Sequence, residues 1–471
     1  MASLSQVGPV TKRLAEMPFI VSSADGTVDP GTRKLIRSHA MRGRKQERIH
    51  AKKNVLVNSA DLVTGFVETV PFELDDITRT YTPPDRRIGS DLSFVALPKD
   101  MRSSMLLNIT KVSPIAQSFV YPLITAIGNQ VDNREWLHLC TTDAAALHIT
   151  AFSVEGFIDL FLHHRAEINP AAMVHFKEGV NLLRERLSSD DEKAKTTDAT
   201  IGVVLKLATA AHFAGEHQAA KQHMEGIRKM VDCRGGLGAF KHTQLLSEML
   251  RCDLTVAVPN YRGHVFFCQP SEPMPGYPYH LLPDFDGTRM PEDLTKIIAH
   301  AGTDLATAWS VMRRFCLLAN LGTQTHRLVS TTVIHETMAS VMYRLISKDD
   351  TPDSSVEAVR LALLAYSYHI FLQWRGVKLP FYRLQTALRV CILVLQRDGQ
   401  LSSRFMLWML VVGAVSVFDV HEEAWLRTAL RHYASKCEVK TWEEAQAMLK
   451  SFLWLPILDH KSGRSVWNML D

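Results

Sequence analysis

The first 139 residues of this 471-residue chain contain no cysteine. No thiolate-based metal module can sit there, because such modules need several closely spaced sulfur ligands. The seven cysteines that do occur are Cys140, Cys233, Cys252, Cys268, Cys316, Cys391 and Cys437. They form no CxxC and no close pair, so the pattern gives neither a disulfide framework nor a zinc site and fits a reducing compartment. Long apolar runs are also missing. The longest, Phe405–Phe418, has 14 residues between Arg404 and Asp419. That is short of the ~20 needed to span a bilayer, and it reads as a buried core helix. The first thirty residues hold no apolar run of the length a signal peptide needs. There is no GxSxG elbow, no HExxH and no Cys–His pairing, so no catalytic constellation stands out. Alternating strand patterns are scarce, and no repeat of fixed period is visible.

Acidic residues are nearly absent from one stretch. "RKLIRSHAMRGRKQERIHAKK", Arg33 to Lys53, holds nine Lys or Arg and one acid, Glu47. The stretch is +8 in a chain whose formal charge is +4, so the other 450 residues sum to −4. On a helix at ~100° per residue, Arg33, Lys34, Arg37, Arg44, Lys45, Arg48 and Lys52 fall on one side. Leu35, Ile36, Met41 and Ile49 scatter. A membrane-surface helix and a core helix both need an apolar stripe, so neither fits. A polyanion would relieve the repulsion and release counterions, the usual drive for nucleic-acid contact. A solvated basic arm or a nuclear-import signal is the alternative, and one segment can serve both. The candidate DNA-binding or import residues are Arg33, Lys34, Arg37, His39, Arg42, Arg44, Lys45, Arg48, Lys52 and Lys53.

The rest of the chain falls into zones. Residues 1–31 read as mostly disordered, with "PFIVSS" (Pro18 to Ser23) as a short strand. Residues 32–57 form the basic helix or arm. Residues 58–96 form a linker that ends in "TPPDRR" and contains the acid-and-apolar run "FVETVPFELDDI" (Phe66 to Ile77). From residue 97 to 471 apolar residues recur at three- and four-residue spacing, as in Asp143–His164, Ala199–Val231, Asp304–Leu328 and Ser354–Trp374. The expectation is one all-α domain of roughly a dozen helices. Residues 257–293 hold seven of the twenty prolines, which predicts a long irregular excursion.

Three stretches invite chemical readings and resist them. "CRGGLG" (Cys233 to Gly238) lacks GK[ST] and follows a helix, whereas a phosphate cradle follows a strand; it reads as a helix C-cap and turn. Asp75 and Asp76 in "LDDITR" have no second acidic motif to complete a magnesium cluster. His163, His164 and Glu167 lack a further partner for a metal. No cofactor or metal is expected.

Five segments, in order, resemble the helical regulatory region known as the fungal-specific transcription factor domain. They are Trp136–Asp159 (with Trp136, Asp143 and Leu147), His223–Phe240 (the RGGL turn), Leu245–Ala257 (Asp253), Leu407–Ser416, and Met448–Trp467 (Phe452, Trp454, Asp459, Gly463 and Trp467). The resemblance covers residues 95–471. The opening "MPFIVSSADG…TRKLIRSHAMRGR" resembles that of relatives lacking the usual binuclear zinc cluster, with Ile36–Met41 carrying the match. The departure is the missing cluster itself, which would need six cysteines before the helical region. The resemblance implies a nuclear regulator of transcription, often of a metabolic gene cluster, with protein partners or a homodimer and room for a small-molecule effector. A coregulator that never touches DNA is the alternative, and a helical enzyme a remote one. The glycines and tryptophans of the match, Gly235, Gly236, Gly413, Trp408, Trp454 and Trp467, read as caps, close approaches and core filling.

Overall fold

The computed structural model describes residues 103–128, 139–140, 142–165, 167–269, 271–277, 292–346, 353–399 and 401–470. Of these, 75% are helical and none lies in a strand, which is the all-α architecture expected. The basic arm, the short strand and the linker lie outside the described residues.

The first half is a layered helical stack. Helix α1 (Ser103–Val120) and the short α2 (Pro122–Ala126) precede α3 (Ala144–Phe157), which runs on into a π-helical turn, Ile158–Leu162. Then come α4 (Pro170–Ser188), α5 (Glu192–Lys195), α6 (Asp198–Phe213), α7 (His217–Cys233) and α8 (Gln244–Ala257). Helix α3 packs against α1, α4 and α6, while α6 in turn packs against α7 and α8. By length and composition, Ala144–Leu162 could cross a bilayer. Here α1, α4 and α6 cover it instead.

After a 3-10 turn at Val258–Asn260 the described residues 261–269 and 271–277 carry no helix, as the prolines predict. The second half holds α9 (Glu292–His300), α10 (Thr303–Gln324), α11 (Thr331–Ile346), α12 (Ser354–Phe371), α13 (Tyr382–Asp398) and α14 (Ser403–Ser416). It closes with α15 (Ala424–Lys436), α16 (Trp442–Lys450) and α17 (Pro456–Asn468). Helices outnumber the rough dozen expected because α2, α5, α9 and α16 are short, and short helices escape a periodicity reading.

Helix starts follow local chemistry. Asp143, Asn169, Thr197, Thr243, Asp353 and Ser402 each accept a first-turn backbone N–H at the head of α3, α4, α6, α8, α12 and α14. Thr441 and Glu444 make a reciprocal capping box on α16. Each cap is worth ~1 kcal/mol. The "RGGL" turn ends α7 in the Schellman manner: Gly236 N–H donates to Val231 C=O and Gly235 N–H to Asp232 C=O. Both glycines have positive φ, 93° and 88°, a conformation that costs other residues energy. The cap reading of "CRGGLG" is therefore the structural one.

Helices α12 and α14 are the core. Nearly every residue of both is buried, polar ones included. Trp408 of α14 packs against Trp309, Tyr366 and Phe405 and donates its indole N–H to Leu453 C=O at 2.8 Å. The terminal segment docks on this cluster, with Trp454 stacked parallel to Tyr366 at 6.2 Å. Fully buried Asp459 accepts the Tyr366 hydroxyl (2.8 Å) and the Leu455 N–H (3.1 Å), and its other oxygen lies 2.9 Å from His369 Nε2.

Gly463 of α17 sits under two indoles. A Cβ there would come within 2.4 Å of Trp442 and 2.8 Å of Trp454. Gly226, midway along α7, has nothing within 4 Å. Gly463→Ala should therefore destabilise the chain by ~2 kcal/mol or more through overpacking. Gly226→Ala should stabilise it by ~0.5–1 kcal/mol through helix propensity. Thermal melts of the two variants check the opposite signs.

Candidate functional site

The ten basic candidates from Arg33 to Lys53 all lie outside the described residues, as do Asp75 and Asp76. His163, His164 and Glu167 are described and exposed. Among the described residues no group of three or more His, Cys, Asp or Glu could hold a metal ion.

The most unusual chemistry gathers where the proline-rich strap, residues 258–277, crosses the helices. Asp253 projects from α8 and is 1% exposed. One oxygen accepts the Val265 N–H at 2.9 Å. The other accepts the Phe266 N–H at 3.1 Å and the Tyr343 hydroxyl of α11 at 2.8 Å. Burial pushes the Asp253 carboxyl up to about 7, against the pull of these donors and of the Arg228 charge. Burial, with Asp253 adding to it, also raises the Tyr343 phenol.

A second anchor lies beside it. Arg228 of α7 donates to both oxygens of Glu272 at 2.6 Å, and Glu272 accepts the Phe267 N–H at 3.0 Å. These bonds hold a backbone that would not choose its shape. Tyr261 and Phe267 have φ of 42° and 59°, each a cost on the order of 1–3 kcal/mol for a bulky residue. The Tyr261 ring has the guanidinium groups of Arg360 and Arg383 over it, at 5.3 and 5.2 Å from the ring centre. Phe267 meets Tyr343 edge-on at 4.7 Å.

Two further clusters carry titratable groups. Arg251, over the Tyr121 ring, donates to Val120 C=O at 3.0 Å and to Phe371 C=O, tying the ends of α1 and α12 to α8. A cavity of about 10 Å³ lies beside it, lined by Tyr121, Arg251, Ile334, His335 and Phe371. That is room for roughly one water. His335 Nε2 meets no partner there, and burial pushes this imidazole down to about 4, with Arg251 adding to the effect. At the corner between α6 and α7, both ring nitrogens of buried His212 are unpartnered. Burial, and to a lesser degree His217, lowers it to about 4. Beside it Phe213 packs on Trp374 at 4.2 Å, and Phe161 of the π turn packs on Trp374 at 5.5 Å.

These groups do not converge on one cavity. Asp253, Asp459, His212 and His335 sit at different joints between elements, and the two carboxyls are bound to backbone and hydroxyl donors. The arrangement fixes segments to one another. Sequence reasoning singled out Asp253 only through the resemblance, and it missed Arg228, Glu272, Tyr343 and Arg251. The signal for them was the excursion itself: an irregular buried segment must find partners for its amides.

The Asp253 shift has a definite sign. Its folded value lies above the unfolded value near 3.8, so its contribution is complete below about pH 4 and is lost as pH rises through 7. Asp253→Asn cannot ionise. The stability advantage of the parent over Asp253→Asn, read from denaturant unfolding, should be largest near pH 4 and shrink toward pH 8, by an amount on the order of 3 kcal/mol. A gap that stays constant with pH would show that the carboxyl is ionised throughout. Comparison of the chain with family models, with curated proteins and with solved structures found no match.

Proposed function

We propose that the chain is a nuclear regulator of transcription, of the kind that controls a metabolic or secondary-metabolite gene cluster. The single observation carrying this reading is the concentration of charge: +8 within Arg33–Lys53 against −4 over everything else. Lys and Arg there contact phosphates and position the protein, which supplies affinity without reading bases. The same stretch is the address for an import receptor. The helical domain supplies dimer contacts or contacts to another protein and receives regulatory input, including from a small molecule held between helices. No cofactor, metal or membrane enters the reading, and no catalytic step.

Two further observations support it. The described residues form the all-α body that the resemblance to the fungal-specific transcription factor domain implies. The residues that carry the resemblance also act there as caps, anchors and packing: Asp143 caps α3, Gly235 and Gly236 close α7, Asp253 holds the strap, and Trp408, Trp454 and Asp459 lock the terminal helix. A second reading, a coregulator that leaves DNA to a zinc-cluster partner, is favoured by the absence of cysteine before Cys140.

One titration separates the two. Full-length protein is titrated against fluorescent duplex DNA at 50 and 200 mM salt, alongside the triple variant Arg44→Glu, Lys45→Glu, Arg48→Glu. Direct binding predicts a steep loss of affinity with salt, and a slope of log K against log salt that is shallower by about 3 in the variant. No binding by the parent at 50 mM salt assigns the chain to the coregulator class; equal binding by both proteins moves the DNA contact away from Arg44, Lys45 and Arg48 and overturns the role given to the basic stretch.

A further inference from the structure

Helix α13 has two faces of different kinds. Leu384, Leu388, Cys391, Ile392 and Leu395 are buried, where the helix packs against α12 and the 258–260 turn. The opposite face also carries apolar side chains: Tyr382 is 71% exposed, Val390 53% and Leu393 42%. At ~100° per residue these three, with Thr386, fall within one ~80° sector. Arg383 and Arg389 border the sector on its two sides, and Arg397 lies within it at the C-terminal end. Arg383 stacks over the buried Tyr261 ring and Arg389 over Trp425, contacts that leave their charge in place, and the ion pairs that Arg389 and Arg397 make are weak surface ones. Arg389 pairs with Glu423 at 3.4 Å, and Arg397 with its neighbour Asp398 at 3.0 Å; exposed pairs of this sort are worth little and exchange readily. The face thus offers an apolar stripe between cations.

The chain contains a segment of the complementary kind. "FVETVPFELDDI", Phe66 to Ile77, has six apolar residues and the four acids Glu68, Glu73, Asp75 and Asp76, with no base. The basic stretch Arg33–Lys53 could match its charge but has no apolar stripe to receive Phe66, Phe72 and Leu74; α13 offers both. The tether is long enough. From Ile77 to Ser103 there are 26 residues, which span up to ~86 Å when extended. A compact chain of ~370 residues has a radius of gyration near ~21 Å.

We propose that Phe66–Ile77 docks in cis on the outer face of α13, its apolar residues on Tyr382, Val390 and Leu393 and its acids against Arg383, Arg389 and Arg397. Docking covers an acidic and bulky-apolar segment of the type that recruits other proteins, and an external binder of either surface competes with it. The interaction does not depend on whether the basic stretch meets DNA.

Photocrosslinking of the full chain tests this. Tyr382 is replaced by benzoylphenylalanine, and unlabelled and heavy-isotope chains are mixed before irradiation. The expected product joins position 382 to a peptide within 66–77 of the same chain, so mixed light–heavy products are absent. Its yield should fall at least fivefold in the variant Glu68→Lys, Glu73→Lys, Asp75→Lys, Asp76→Lys. In the unaltered segment it should also fall between 0.1 and 1 M salt, a readout that needs no further substitution. Crosslinks to another segment, light–heavy products that reveal a second copy on the stripe, or a yield indifferent to both charge reversal and salt would overturn the proposal.

Discussion

A helix with no polar side must be enclosed by others. Helices α12 and α14 set that constraint here, because each is buried on every face. Around them α9, α11, α13 and α2 pack on α12, while α15 and α17 pack on α14. Burial on this scale is favourable per unit of apolar area. It also presses enclosed polar groups to find partners, since an orphan costs ~1–3 kcal/mol, although Ser367 of α12 has none. The fully buried Arg360 meets that demand by pairing with Glu357 and donating to Leu345 C=O. Ser416 donates back to Val412 C=O, one turn earlier.

The same demand explains where the buried carboxyls sit. Asp253 and Asp459 each stand at a join where helix gives way to irregular backbone, and each receives main-chain N–H groups that no helix could satisfy. In both sites a tyrosine hydroxyl from a different helix completes the set. The repeated design of acid, amide and phenol fixes a turn to two helices with one side chain. These residues determine where segments cross, whatever the chain senses or binds.

Much of the body was legible from sequence. Apolar spacing marks the long helices, and the uninterrupted run Phe405–Phe418 marks the helix buried all round. Four of the seven prolines in residues 257–293 mark the strap, and two successive glycines after Cys233 mark the end of α7. Other features escaped because they depend on residues far apart in the chain. Asp253 meets Tyr343 ninety positions away, and Arg251 meets Phe371 at 120. Periodicity carries no information about such pairs. Short helices such as α2 and α5 also escaped, since one turn shows no period. The charged stretch Arg33–Lys53 was the clearest signal for function in the sequence, and it lies outside the described residues.

The last helix has a consequence for biosynthesis. Tyr366 and Asp459 are separated by 93 positions, yet they share one hydrogen bond at the centre of the core. A ribosome adding ~5–20 residues per second finishes α12 several seconds before α17 emerges. During that interval the surface that Trp454 and Leu455 will cover stays open to water. The nascent polypeptide is then a natural client for chaperones, and a message truncated ahead of codon 452 would yield a product with a permanently unsealed interior.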